Sequence, residues 1–346
     1  MIYEPVEDSK LIGKEVRKCS FGSVLDIGTG SGYLIDGALK NSRVKSVLGV
    51  DIQDDVVLFC TEKFKDNENV KILKSDLFSE VKGKFDTIIF NPPYLPFDER
   101  EDKESRYTTT GGKKGYELLV KFLDHANDYL KDEGKIIILF SSLTKKYVVD
   151  QNLEENLFSF REVSKQKIFM ETLYVYVVKK RDVLKRISKK VSSLSLIAKG
   201  KRGMVFLGTY NNKKCAIKVV KEGSHISNRV KIEADFLKKL NKKGIGPKLL
   251  YSEDDFIIME FIEGITIKQW VKDNGNPQEL RKIIDVVTKK MQIMDSMGIN
   301  KEEMMRPWKH VLIGKEVRLV DFERCNHSEN PKNMRQLKEF LKNLNI

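Results

Sequence analysis

Six short apolar runs punctuate the first half of this 346-residue chain: Val24–Ile27, Val47–Val50, Val70–Leu73, Thr87–Phe90, Ile136–Phe140 and Leu173–Val178. Segments of helical period separate them. Strands that are apolar along their whole length are buried on both faces, and strands alternating with helices form βα units. The expectation is an α/β domain: a mostly parallel sheet with helices on both faces. Ligands of such sheets bind beyond the C-terminal strand ends, and the informative residues fall at those ends.

After the first run comes Asp26-Ile27-Gly28-Thr29-Gly30-Ser31-Gly32. Glycines there let the backbone approach a ligand where a side chain would clash. The Asp at the head, with Gly28, Gly30 and Gly32, suits a zwitterionic donor such as S-adenosylmethionine better than a pyrophosphate. A tight turn without ligand is the alternative. Asp51 ends the second run and is placed to take both ribose hydroxyls, or else to cap a helix over Asp54–Cys60. Ser75-Asp76-Leu77 follows the third run, where Asp76 accepts from an adenine amine or caps a helix.

The fourth run ends in Asn91-Pro92-Pro93-Tyr94. The prolines contribute no N–H and hold the turn open, leaving a side-chain carboxamide and backbone carbonyls as acceptors. Acceptors fixed this way grip a planar –NH2 group while the tyrosine packs on its plane. A glutamine amide and the amine edge of adenine offer the same donors, so both fit. The stretch Leu95–Gly115 is expected to lie over the substrate, with 98–105 also readable as a solvated surface loop. His125, the one histidine of this half, reads as structural.

With Tyr3-Glu4-Pro5-Val6-Glu7-Asp8-Ser9 and Gly111-Gly112-Lys113-Lys114-Gly115-Tyr116-Glu117 added, the first 180 residues resemble class I S-adenosylmethionine-dependent methyltransferases. More narrowly, they resemble the archaeal and eukaryotic branch of the HemK-type release-factor glutamine methyltransferases. Ser9 stands where threonine is commoner and Asp26 where glutamate is commoner. Both keep the hydrogen-bonding group. The resemblance implies a donor site lined by Ser9, Asp26, Gly28, Gly30, Asp51, Asp76 and Leu77. It implies an acceptor clamp of Asn91, Pro92 (through its carbonyl) and Tyr94, and no metal in this half. The acceptor it implies is the Gly-Gly-Gln glutamine of a peptide release factor, with a small zinc-ribbon activator as partner.

The second half follows a basic linker at 181–193. Its Ala198–Val205 loop carries Gly200 and Gly203, and Cys215-Ala216-Ile217-Lys218-Val219 follows. A Gly-bearing loop with a Lys in the next strand is how kinase folds hold ATP phosphates. Glu233, on a helical run, is placed to pair with Lys218. Leu319-Val320-Asp321-Phe322-Glu323 is similar to the metal-binding Asp-Phe-Gly element, with Glu for Gly. Residues 194–346 therefore resemble archaeal kinases related to the RIO group, a smaller α+β protein-kinase-like domain after the Rossmann-like one. The resemblance implies ATP and Mg, the latter on Asp321. Where His-Gly-Asp and a later Asn are expected, Lys301-Glu302-Glu303 and His310 stand, with Glu303 at the base position. That departure leaves open whether this half transfers phosphate or only binds nucleotide.

The net charge of +13 is uneven: residues 1–180 sum to −2 and residues 181–346 to +15. A nucleic-acid enzyme usually carries its own basic footprint. Here the basic half is the other one, which suits an anionic partner such as release factor, ribosome or tRNA. Two competing readings follow. One is an adenine methyltransferase acting on DNA or RNA with the basic half as its arm; the other is a Ser/Thr kinase with the first domain as recruiter. Four scattered cysteines, an acidic N-terminus and no apolar run of membrane length lead to the expectation of a cytoplasmic protein without membrane contact.

Overall fold

In a computed structural model, the structure describes residues 4–102, 106, 108–200, 203–221 and 229–342. Tyr3, part of the substrate loop (103–105 and 107) and Lys201-Arg202 of the glycine loop lie outside them. Contacts divide the chain into two compact units, Met1–Lys189 and Lys190–Ile346.

The first unit runs α1 (Glu7–Cys19), β1 (Gly22–Ile27), α2 (Tyr33–Leu39), β2 (Val44–Asp51), α3 (Asp54–Lys63), β3 (Val70–Lys74) and β4 (Phe85–Phe90). It continues with α4 (Glu117–Tyr129), β5 (Leu130–Ser141), α5 (Lys146–Glu155), β6 (Phe158–Ile168), β7 (Glu171–Lys180) and α6 (Asp182–Ser188). All six apolar runs are strands. The sheet order is β3-β2-β1-β4-β5-β7-β6. β1 to β5 pair in parallel, and β7 inserts antiparallel between β5 and β6. Alternation along the strands splits the core. Val24, Ile89 and Ile137 pack with Ile12 and Val16 of α1 and Ile35 of α2. Phe90, on the opposite face of β4 from Ile89, meets Phe122 of α4 with ring centroids 4.5 Å apart. The chain order reverses between β1 and β4, so their C-terminal ends open a crevice there.

The stretch 181–193, expected as a linker, holds α6 with Leu184 and Ile187 buried, and the first residues of β8. The second unit opens with a five-stranded antiparallel sheet, β11-β12-β10-β9-β8. Its strands are β8 (Ser192–Lys199), β9 (Gly203–Tyr210), β10 (Lys213–Val220), β11 (Leu249–Ser252) and β12 (Phe256–Glu260), with α7 (Arg229–Leu240) between β10 and β11. Short β13 (Gly264–Thr266), α8 (Ile267–Asn274), the 20-residue α9 (Pro277–Ser296) and β14 (Ile299–Lys301) follow. The chain ends through β15 (Val311–Gly314), β16 (Val317–Leu319), β17 (Cys325–His327) and α10 (Asn333–Lys342). Among the described residues no helix is long and apolar enough to cross a membrane.

Candidate active site

The crevice between β1 and β4 is a cavity of about 400 Å³. The turn after β1 forms its floor. Gly28 and Thr29 donate their N–H groups to the Val50 carbonyl at 2.8 and 3.0 Å, and Gly30 donates to Asp51 Oδ2 at 3.1 Å. Gly28 has φ +67° and a Cβ there would meet no protein atom within 4 Å, so backbone lies open to the cavity. Asp51, 6 % exposed, stands at the end of β2, its Oδ1 accepting from Gln53 N–H at 3.1 Å. Asp76 and Leu77 line the cavity from the end of β3, and Asp76 pairs with Lys121 at 3.1 Å on its exposed side. Ser9 reaches in from α1.

Asp26 is placed differently from the expectation. It is wholly buried beneath the turn and does not line the cavity. Its Oδ2 accepts from Thr29 Oγ1 at 2.8 Å, while Oδ1 has no hydrogen-bond partner. Burial pushes its carboxyl up to about 7, the Thr29 hydrogen bond pulls the other way, and the Asp51 charge adds to the rise.

Asn91, Pro92 and Tyr94 line the opposite wall. The Gly111–Glu117 motif explains itself against them. A Cβ on Gly111 would stand 2.5 Å from the Pro93 carbonyl oxygen, and one on Gly115 2.6 Å from that of Tyr94. Only glycine lets this segment lie flat on the Asn-Pro-Pro-Tyr turn. Leu95 N–H bonds the Thr109 carbonyl at 2.8 Å and Gly111 N–H the Leu95 carbonyl at 2.9 Å, fixing the turn to the loop. The Asn91 carboxamide donates through Nδ2 to Asp8 Oδ2 at 3.1 Å, and its Oδ1 is buried without a partner.

Sequence reasoning missed three contributors to this wall. Asp8 lies inside a quoted motif, but its contact with Asn91 spans 83 residues and no local pattern announces it. Glu171, at the start of β7, bonds Ser141 and lines the cavity. Arg106, within the substrate loop, lines it too. The donor set suits the ligand expected from the motifs: a carboxylate at the end of β2 for a diol, Asp76 for an adenine amine, open glycine backbone, and an orphaned acceptor on Asn91.

In the second unit, Lys218 on β10 bonds Glu233 Oε2 of α7 and Asp321 Oδ1 at 2.7 Å each, and lies 3.1 Å from Glu323 Oε2. Burial works against its charge, yet these carboxylates hold its ammonium well above the usual lysine range. Glu233 Oε1 accepts from the Phe322 N–H at 3.0 Å, which fixes the segment carrying Asp321. Glu233, Asp321 and Glu323 each offer one oxygen within 4.8 Å of the others, a donor set fit for a hard divalent cation. Glu303 lies 3.5 Å from the buried Lys301 ammonium, which donates to the Asp321 carbonyl. His310 Nδ1 is 3.5 Å from Asp321 Oδ2, and burial pushes that imidazole down to about 4. Gly200 and Gly203 close the β8–β9 turn through a 2.9 Å backbone bond. The structure thus gathers Lys218, Glu233, Asp321, Glu303 and His310 around one acidic cluster.

The methyltransferase small domain family matches residues 7–171. A protein of Methanocaldococcus jannaschii named "Putative protein N5-glutamine methyltransferase" is 40 % identical over 177 residues, 50 % of this chain and 89 % of that protein. The release factor glutamine methyltransferase of Streptococcus pneumoniae is 35 % identical over 125 residues, 34 % of this chain. The match spans only 44 % of that enzyme. Among solved structures, the Mtq2–Trm112 complex of E. cuniculi, described as responsible for methylating the translation termination factor eRF1, is 24 % identical. It aligns with a TM-score of 0.43 over 52 % of this chain and 99 % of that one. Through its N-terminal half the chain belongs to the HemK-like methyltransferases of the methyltransferase small domain family, which take their methyl group from S-adenosylmethionine.

Proposed function

We propose that the first unit methylates the side-chain amide nitrogen of a protein glutamine, the Gly-Gly-Gln glutamine of a peptide release factor. The observation that carries this reading is the Asn91 carboxamide: an acceptor without a partner, in a wall stiffened by Gly111 and Gly115, across the cavity from the Asp51 carboxylate. Bound S-adenosylmethionine supplies an electrophilic sulfonium methyl. The chain's own residues do the rest. An amide nitrogen is a weak nucleophile because its lone pair is delocalised into the carbonyl. Accepting its two N–H bonds at Asn91 Oδ1 and the Pro92 carbonyl fixes the amide plane so that the lone pair, which stands perpendicular to it, faces the methyl group, and stabilises the positive charge the nitrogen gains until it sheds a proton. Tyr94 packs on the amide plane. The names of the relatives support glutamine as the acceptor, and the −2 charge of residues 1–180 weighs against nucleic acid.

The methyltransferase domain is assigned to the unit Met1–Lys189 and a kinase-like, nucleotide-binding domain to the unit Lys190–Ile346. The Lys218–Glu233–Asp321 cluster supports ATP and Mg binding in the second. An activator subunit has a surface to cover. β3 is an edge strand, and Leu58 (71 % exposed), Phe59, Ile52 and Leu73 stand open on and beside it. The four free cysteines suit a reducing cytoplasm.

The reading is tested by label transfer from methyl-labelled S-adenosylmethionine to release factor, DNA and RNA in parallel, with and without a zinc-ribbon activator. Label on the release factor, lost in Asn91→Ala while donor binding persists, is expected. Label on nucleic acid alone would replace this reading with base methylation, the basic half serving as the binding arm.

A further inference from the structure

A carboxamide is nearly symmetric in shape and opposite in chemistry at its two ends. Turned one way, Asn91 presents an acceptor to an incoming –NH2; turned the other way, it presents a donor and repels it. Something must choose, and the Asn-Pro-Pro-Tyr turn itself does not.

We infer that Asp8 is the positioning residue that sets the polarity of the Asn91 clamp. Asp8 is 5 % exposed, in the first turn of α1, where a negative charge is favoured by the helix end. Both of its oxygens are engaged. Oδ1 accepts from the Ser9 N–H at 2.5 Å and from the Ser9 hydroxyl at 3.2 Å, which fixes the plane of the carboxylate. Oδ2 accepts from Asn91 Nδ2 at 3.1 Å. An ionised carboxylate accepts hydrogen bonds and cannot donate, so the end of Asn91 facing it has to be the –NH2. That leaves Oδ1, the orphaned acceptor, for the substrate. Through the same contacts Ser9 acts twice, stiffening the acceptor wall by way of Asp8 as well as lining the donor side.

This inference rests on the proposed methylation of an –NH2 group, but not on which molecule carries it. It is therefore tested on whichever acceptor the full-length wild-type chain labels. Asp8→Asn keeps the shape and lets both carboxamides turn. Its kcat is expected to fall about tenfold to a hundredfold, with S-adenosylmethionine affinity, read by calorimetry, unchanged within about twofold. Asn91→Asp alone sets two carboxylates against each other and is expected to lose at least as much. The decisive variant is the exchange, Asp8→Asn with Asn91→Asp. Residue 8 then donates through its –NH2 to the carboxylate at 91, whose other oxygen again faces the substrate as an acceptor. The exchange is expected to recover about tenfold over either single variant. A purely structural role for Asp8 would lower thermal stability and donor affinity together and give no recovery. An Asp8→Asn enzyme with wild-type kcat, or an exchange no better than the singles, overturns the inference and leaves the methylation reading intact. A wild-type chain that labels no acceptor at all overturns both.

Discussion

Asp26 lends itself to a quantitative test because its surroundings act on it in one dominant way. Its carboxyl is 0 % exposed, has one hydrogen bond from Thr29, and leaves an oxygen without a partner. Burial raises its pKa from 3.8 to about 7. The folded value thus lies above the unfolded one. The stabilising proton is fully present below about pH 4, and its contribution is lost as pH rises toward 7. Roughly three tenfold steps at 1.36 kcal/mol each make ~4 kcal/mol in all, of which ~3 kcal/mol falls between pH 5 and pH 8. Asp26→Asn keeps the shape and cannot titrate, so subtracting its stability from that of wild type cancels every other group. The assay is urea unfolding of the full chain followed by far-UV circular dichroism. Trp270 and Trp308, the only tryptophans, both lie in the second unit, so their fluorescence identifies that unit's transition separately. The expected result is that Asp26→Asn gains ~3 kcal/mol on wild type between pH 5 and pH 8. A difference flat with pH would mean that Asp26 is ionised in the fold at both values, and the burial argument would fail.

Three further outcomes are expected. Asp51→Ala should weaken S-adenosylmethionine binding by about a hundredfold or more in calorimetry, because it removes a buried charged acceptor for the ribose; unchanged affinity would refute that role. Phe169 and Met170 form the turn between β6 and β7, 97 % and 78 % exposed, next to Glu171 in the cavity wall. Replacing both with Ser should raise KM for the intact release factor about tenfold and leave KM for a short Gly-Gly-Gln peptide unchanged; equal effects on both would exclude a contact with the folded substrate. Lys218→Ala should abolish binding of Mg-ATP by the full chain in fluorescence titration while label transfer to release factor continues. Retained nucleotide binding would remove the basis for the kinase-like reading.

The runs of β1, β2, β4 and β5 were legible because both faces are covered: a strand buried twice reads as a nearly unbroken apolar run, whereas β3, at one edge, keeps Lys71 and Leu73 exposed. β6 escaped for the opposite reason. It lies at the sheet's other edge, and after Phe158 and Phe160 its sequence alternates with Arg161, Lys165 and Lys167, which solvent tolerates and which leave no apolar run to read. The stretch 181–193 read as a linker because lysines mask the helical spacing of Leu184 and Ile187. In the site, Asp51, Asp76 and Asn91 stand at strand ends and line the cavity, a placement that the βα pattern alone makes legible. Asp26 belongs to the same motif, yet its side chain points under the turn rather than into the cavity, a matter of strand alternation that the glycine pattern does not report. Asp8 and Glu171 reach the cavity only through tertiary contacts, from α1 and from the inserted β7. Lys301 is the sharpest case in the second unit. Lysine is almost always exposed, whereas this one, the last residue of β14, is wholly buried, 4.8 Å over the Phe322 ring and bonded to the Asp321 carbonyl. Asp321 itself takes φ +64°, the left-handed region that glycine, asparagine and aspartate enter most readily, and Lys301 bonds its carbonyl there.

The central claim is that the orphaned Asn91 acceptor grips a glutamine amide. Its most direct test is mass spectrometry of release factor after incubation with the full chain and S-adenosylmethionine. The account predicts one added methyl group on the Gly-Gly-Gln glutamine nitrogen, absent with Asn91→Ala. A methyl group on any other residue, or the same product from Asn91→Ala, would contradict it.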